Sequence, residues 1–262
     1  MPDLVTEEAL KFIDRNKDKP FLLYHSLNIP HANNEAGRDG MEVPDFGEFA
    51  DKDWPKPEKG FAAMIRIIDR DVGRVLAKLK EHGLDEKTLV IFTSDNGPHS
   101  EGGHRAPFFD SNGKLRGTKR DLYEGGLRVP MIARWPGKIK PGQTSGHISG
   151  FQDMLPTFAD LAGAKCPKTD GISMAPALLG KSEKQKTHKH LFWEFYEGGG
   201  KQAVLKGKWK AIRLRTQRNP DGPLELYDIT KDIGEQKNVA KEHPEIVAEM
   251  ARIMKAEHVD LK

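Results

Sequence analysis

The strongest constraint on the fold is a long amphipathic stretch set between two short apolar runs. Phe61, Met64, Ile65, Ile68, Val72, Val75, Leu76 and Leu79 recur at three- and four-residue spacings, and Gly83 stands where a helix stop belongs. Phe21-Leu22-Leu23-Tyr24 precedes this stretch and Leu89-Val90-Ile91-Phe92 follows it. Both runs carry the unbroken apolar pattern of strands covered on two faces. Strand, helix and strand in that order form the unit from which parallel sheets are built. The expectation is therefore an α/β core with a parallel sheet flanked by helices.

The rest of the chain can be placed around that unit. Thr6 is a candidate cap for a helix with Glu7 and Glu8 in its first turn, which Asn16–Pro20 ends. Residues 33–59 lack periodicity and read as a long surface loop. Val129–Trp135 is a third strand candidate, and Asp153–Ala162 a helix stopped by Gly163. Beyond residue 185 the pattern changes. Leu191–Tyr196, Ala203–Ile212 and Leu224–Ile229 read as strands of an antiparallel meander, with a turn at Asn219-Pro220-Asp221-Gly222. Pro244 opens a terminal helix. Residues 1–185 are expected to form the α/β part, and residues 186–262 a small antiparallel-sheet-plus-helix subdomain.

Composition narrows the function. The 262 residues carry 42 Lys and Arg against 39 Asp and Glu, a net charge of +3. That balance argues against a nucleic-acid or polybasic membrane binder. A single cysteine, Cys166, excludes an intramolecular disulfide and any multi-cysteine metal centre. No apolar run approaches the length of a membrane span. The first residues lack the basic start and apolar stretch of a signal peptide.

Several residues carry chemistry. Asp95-Asn96-Gly97 closes the second apolar run, at the strand end where open α/β sheets bind ligands. A carboxylate beside an amide oxygen suits a hard cation, although calcium takes ~6–8 oxygens and two side chains fall short. The same triplet also reads as a plain turn, with Asn in the left-handed region before Gly. Lys119 could pair with an anionic substrate oxygen, or stand solvated beside Arg116 and Arg120. His31 is a candidate proton donor. His99 and His104 flank Glu101 in a glycine-rich segment where substrate hydroxyls could be read, and each histidine taken singly reads more readily as a surface or structural group.

Taken together, the segments resemble the type I sulfatases of the alkaline phosphatase superfamily. The matching stretches include Lys19–Tyr24 followed by Pro30-His31, then Thr88–Gly97, Leu115-Arg116-Gly117…Lys119, and Tyr123-Glu124-Gly125-Gly126-Leu127-Arg128-Val129-Pro130. Trp135-Pro136-Gly137, Asp153…Pro156-Thr157, Gly207-Lys208-Trp209-Lys210 and Leu226-Tyr227-Asp228 continue the match to the tail. The resemblance implies an alkaline-phosphatase-like fold, incomplete in this chain, and hydrolysis of sulfate esters of carbohydrates or aryl alcohols. Asp95 and Asn96 resemble two of the family's calcium ligands. Lys119 resembles the lysine that holds a sulfate oxygen, and His31 the histidine that contacts the sulfate and protonates the leaving alcohol. His99, Glu101, His104, Arg105 and Arg120 lie in the region where such enzymes read the sugar.

One departure stands out. The family's nucleophile is a formylglycine made from a C/S-x-P-x-R motif, and these residues contain none; Cys166-Pro167-Lys168-Thr169 does not fit it. The paired aspartates that the family carries near its N-terminus are also missing. The resemblance therefore implies the C-terminal half of such an enzyme, Met1 corresponding to an internal position and the formylglycine lying in polypeptide outside these residues. It further implies an exported protein, periplasmic or secreted, that self-associates through an exposed sheet edge. The alternatives are an inert fragment or sulfated-glycan binding module, and a phosphatase or phosphodiesterase of the same superfamily. Against the last stands the lack of a paired-metal pattern of further His and Asp.

Overall fold

A computed structural model describes residues 2–259; Met1, read above as an internal position, lies outside the described residues. The chain divides into two compact units. One takes the residues up to Ile91 with Pro98–Ser111 and Ala133–Lys138; the other takes Phe92–Gly97, Asn112–Ile132 and the chain from Ile139 onward.

The first unit is organised by two helices, α1 (Pro2–Asn16) and α2 (Lys56–Glu81). Helix α1 starts four residues ahead of Thr6, so Thr6 is not its cap. Its hydroxyl is buried and donates to Asp71 Oδ2 of α2 at 2.8 Å. The Arg70 and Arg74 guanidiniums pair with Asp3 and Glu7 of α1 and flank Asp71. Burial works to raise the Asp71 carboxyl, but Arg70 and Thr6 outweigh it and hold the group below its ordinary value. Helix α2 has Glu58 in its first turn and Lys78 and Lys80 in its last, matching the dipole, and Gly83 follows at φ 64°. Ile29, Ala32, Met41 and Met64 form the apolar core, with Phe61 and Ile68 packed on it. The expected loop at 33–59 holds two short 3-10 turns, Asn34–Asp39 and Gly47–Phe49.

The first apolar run departs from expectation. Among the described residues, no strand forms over residues 21–24. Leu22 and Tyr24 are 68% and 84% exposed, so only one face of the run is covered. The second run does form a strand, β1 (Val90–Thr93), in a two-stranded sheet with β2 (Met131–Arg134). It too is only partly covered, with Phe92 exposed. In the first unit Arg134 clasps Asp85 through two hydrogen bonds, 2.7 and 2.9 Å.

In the second unit, α3 (Glu124–Leu127), α4 (Met154–Ala162) and α5 (Ala175–Leu178) precede an antiparallel sheet in the order β3 (Leu191–Phe195), β4 (Lys201–Lys206), β5 (Trp209–Leu214) and β6 (Leu224–Asp228). The stretch Ala203–Ile212, expected as one strand, is a hairpin. Gly207 at φ 57° makes the turn, and Lys206 faces Trp209 across it. Side-chain alternation divides the sheet's two faces. Ala203, Leu205, Ile212 and Tyr227 pack with Leu122 and Tyr123 on one face. Val204, Ala211 and Leu226 pack on the other against Met250 and Met254 of α6 (Pro244–Glu257). Gly163, at φ 64°, stops α4 as expected. The Asp153 carboxylate at its start accepts bonds from Gly150 N, Ile172 N and His188 Nε2. The fold is α/β, with the antiparallel sheet and helix in the C-terminal part.

Candidate functional site

In the first unit the structure gathers His31, His99, Glu101 and His104. The His31 and His99 rings lie 6.1 Å apart and those of His99 and His104 5.5 Å apart. His31 is 53% exposed. Its Nδ1 lies 2.8 Å from its neighbour's carbonyl, Ala32 O, so Nδ1 carries the proton and donates there. Nε2 then faces the Glu101 carboxylate, 3.7 Å away. His99 is buried, and its tautomer follows from its partners. Glu101 N–H donates to Nδ1 at 3.1 Å, so the proton sits on Nε2, 2.9 Å from Pro30 O. His99 thus staples the glycine-rich segment to the His31 loop. His104 is also buried, with Nδ1 2.5 Å from Glu58 Oε2 and its ring stacked on Phe61 at 3.8 Å. Glu58 Oε1 accepts Arg105 N–H, while the Arg105 side chain is exposed. Glu58 was not foreseen, because a carboxylate in a helix's first turn reads as solvated.

In the second unit, Asp95 is exposed and Asn96 half-buried at the end of β1. Asn96 Nδ2 donates to Gly97 O at 3.0 Å, which leaves the amide oxygen as an acceptor. Neither Asn96 nor Gly97 has positive φ, so the left-handed-turn reading of this triplet does not hold. Glycine is needed at 97 for another reason: a Cβ there would lie 1.8 Å from Gly125 O. Gly97 N–H donates to Gly126 O at 3.0 Å, so Asp95-Asn96-Gly97 and the Tyr123–Gly126 segment are interlocked.

That second segment belongs to the loop that carries Lys119. Gly125 N–H donates to Arg116 O at 2.7 Å, which coils residues 116–126 on themselves. The Arg116 guanidinium lies on the Tyr123 ring at 3.9 Å and donates to Tyr227 Oη and Glu235 O. Beneath the loop, Lys210 is fully buried between Glu124 Oε1 at 2.8 Å and Glu235 Oε1 at 3.2 Å. Glu235 Oε2 accepts Glu124 N–H, and Arg128 pairs with the other Glu124 oxygen. Burial pushes the Glu235 carboxyl up against the pull of Lys210. For Glu124 burial acts the same way, but Lys210 and Arg128 prevail and its carboxyl lies below the ordinary value. Tyr123 and Tyr227 both donate to Glu225 Oε2, and burial and that carboxylate push both phenols upward. Lys119 is half-buried and Arg120 exposed, with Arg120 Nε 3.3 Å from Glu197 Oε2.

Comparison with known proteins follows these same segments. The sequence model of the Sulfatase family matches residues 2–164, and that of the N-sulphoglucosamine sulphohydrolase C-terminal region matches residues 117–260. The chain belongs to the sulfatase family. This sulfatase chain is 33% identical to mouse steryl-sulfatase over 91% of its own length and 41% of the relative's. It is 29% identical to N-acetylgalactosamine-6-O-sulfatase of Bacteroides thetaiotaomicron over 97% of its length and 50% of that enzyme's. The structure of Ps i-CgsB in complex with k-i-k-neocarrahexaose aligns with a TM-score of 0.81 and 30% identity, over 97% of this chain and 54% of that one. The chain thus spans about half the length of the relatives it matches.

The family generally uses calcium and formylglycine, and the two fit this sulfatase chain differently. Asp95 and the Asn96 amide oxygen have the donor chemistry of a hard-cation site. Among the described residues no group of three or more His, Cys, Asp and Glu is placed to hold a metal. For formylglycine there is no fit, since no C/S-x-P-x-R motif occurs in the sequence. No helix among the described residues is long and apolar enough to cross a membrane.

Proposed function

We propose that this sulfatase chain carries part of the active centre of a sulfuric ester hydrolase acting on sulfated carbohydrates. The observation that carries the reading is the interlock at Gly97. It joins the segment bearing a carboxylate and an amide oxygen to the loop bearing an ammonium. Asp95 and Asn96 would hold two positions of a calcium shell, and the ion when bound would offset negative charge on the sulfate oxygens. Lys119 binds a sulfate oxygen and opposes the charge that grows on the bridging oxygen. His31, with Nδ1–H committed to Ala32 O, is the candidate acid: in its imidazolium form it would pass the Nε2 proton to the leaving alcohol and return to the neutral Nδ1–H form. Glu101, Arg105 and Arg120 are the groups assigned to reading the sugar. His99 and His104 are buried in the segment that carries Glu101 and Arg105, with their rings bonded to Pro30 O and Glu58. No step is assigned to formylglycine, because no C/S-x-P-x-R motif occurs in the sequence.

The same reading makes residues 1–185 part of the catalytic domain and 186–262 its C-terminal subdomain. It places the protein in a periplasmic or extracellular compartment, where sulfated glycans occur. The test is to incubate the chain with 4-nitrophenyl sulfate and with N-acetylgalactosamine 6-sulfate, measuring both binding and sulfate release. Binding without release, weakened in K119A, is the expected result. Release by this chain would show that its own residues supply a nucleophile, and undiminished binding by K119A would remove Lys119 from the site.

A further inference from the structure

The Lys119 loop contains a backbone feature that the reading above does not use. Residues 118–121 form a tight turn in which Asp121 N–H donates to Thr118 O at 2.8 Å and Thr118 N–H donates to Asp121 Oδ2 at 3.1 Å. Lys119 and Arg120 are its central residues. Arg120 has φ 74°, and a turn with positive φ at its third residue ordinarily places glycine there. A side chain in this region is strained and persists only when its surroundings enforce it.

The enforcing group is Lys201, the first residue of β4. Its ammonium donates to Arg120 O at 2.8 Å and to Asp121 Oδ1 at 3.0 Å. The Asp121 carboxylate is thereby divided, one oxygen closing the turn and the other holding Lys201. We propose that Lys201 is a positioning residue, which clamps Arg120 in the left-handed conformation and so fixes the backbone on which Lys119 and Arg120 stand. Glycine would fit the turn without strain; retaining arginine gives the loop a second cation beside Lys119. That consequence rests on the functional reading above and makes Arg120 a specificity-determining contact for an anionic sugar substituent. The clamp itself does not depend on that reading.

The test is a double-mutant cycle between K201M and R120G in this chain, read by thermal melting, with K201Q as a milder second lesion and K201R as the conservative control. K201M is expected to lower the melting temperature by about 3 °C, and R120G to raise it by relieving strain. In the R120G background K201M should cost less than half as much, because glycine holds the turn without a clamp. K201R should keep most of the wild-type melting temperature. Equal losses from K201M in both backgrounds, repeated with K201Q, would overturn the clamp and leave Lys201 an ordinary ion-pair partner of Asp121. In parallel, affinity for 4-nitrophenyl sulfate should fall about tenfold in K201M and recover in K201R. If wild type binds no sulfate ester while the cycle is non-additive, the functional reading fails and the clamp stands.

Discussion

Lys210 shows how much one side chain can hold in this protein. It stands second in strand β5, fully buried, and pairs with two carboxylates from segments distant in sequence. Removing its charge leaves Glu124 and Glu235 facing each other out of reach of water. K210M is therefore expected to cost about 3–5 kcal/mol, measured by urea unfolding at neutral pH. The pH dependence has a definite sign. Burial already raises the folded-state value of Glu235, and loss of Lys210 raises it further. A carboxyl raised in the folded state contributes stability below its unfolded value, which is lost as pH rises through the folded one. The penalty of K210M should thus shrink as pH falls toward 4.5, and a penalty independent of pH would show that the carboxylates are not the cause. The sequence places Lys210 in the Gly207-Lys208-Trp209-Lys210 run but gives it no role, since a lysine in a strand reads as solvent-facing. Its partners lie 86 and 25 positions away, and only the folded sheet joins them.

Among the elements, the amphipathic helices were legible in place but not always in their starts, since α1 begins ahead of Thr6 and α2 begins at Lys56, inside the stretch expected as a loop. The spacing of Phe61 to Leu79 located α2, and Pro244 with the apolar face behind it located α6. Strands were less so, because a strand is completed by its neighbours. The run at 21–24 has the right residues, but no ladder among those described; the single strand expected over Ala203–Ile212 contains a turn that Gly207 alone signals. The glycines separate in the same way. Gly73 lies exposed inside α2 with open space where a Cβ would point, so G73A should stabilise by about 0.5–1 kcal/mol. Gly97 has Gly125 O in that place, and G97A should destabilise by about 2–4 kcal/mol while loosening the Lys119 loop. Chemical unfolding of the two variants checks both; equal effects would mean that the interlock at Gly97 is not formed.

At the scale of the whole molecule, several large apolar side chains lie exposed in both units. Leu22 and Tyr24 in the first unit, and Ile132 and Leu155 in the second, are each more than half exposed. Exposed apolar groups of this size favour association. The chain expressed by itself is expected to self-associate, read by sedimentation as a mass that rises with concentration. A monodisperse monomer would refute this. The family motifs were legible because each is a short run whose order survives along the chain. The supports behind them, Glu58 and Lys201, were not, because each acts across a gap that carries no local pattern.

The bond from Arg116 to Glu235 O, with the Glu235 carboxylate resting on Lys210 and Glu124 N–H, bears on how this polypeptide can be cut. Residues past β6 look like a dispensable trailer, yet they complete the underside of the loop that bears Lys119. A stop codon placed just after Asp228 would delete no residue assigned to chemistry, and would still take Glu235 from both the buried Lys210 and Arg116. Chimaeras that borrow the Lys119 loop from this protein should accordingly carry residues 229–240 along with it.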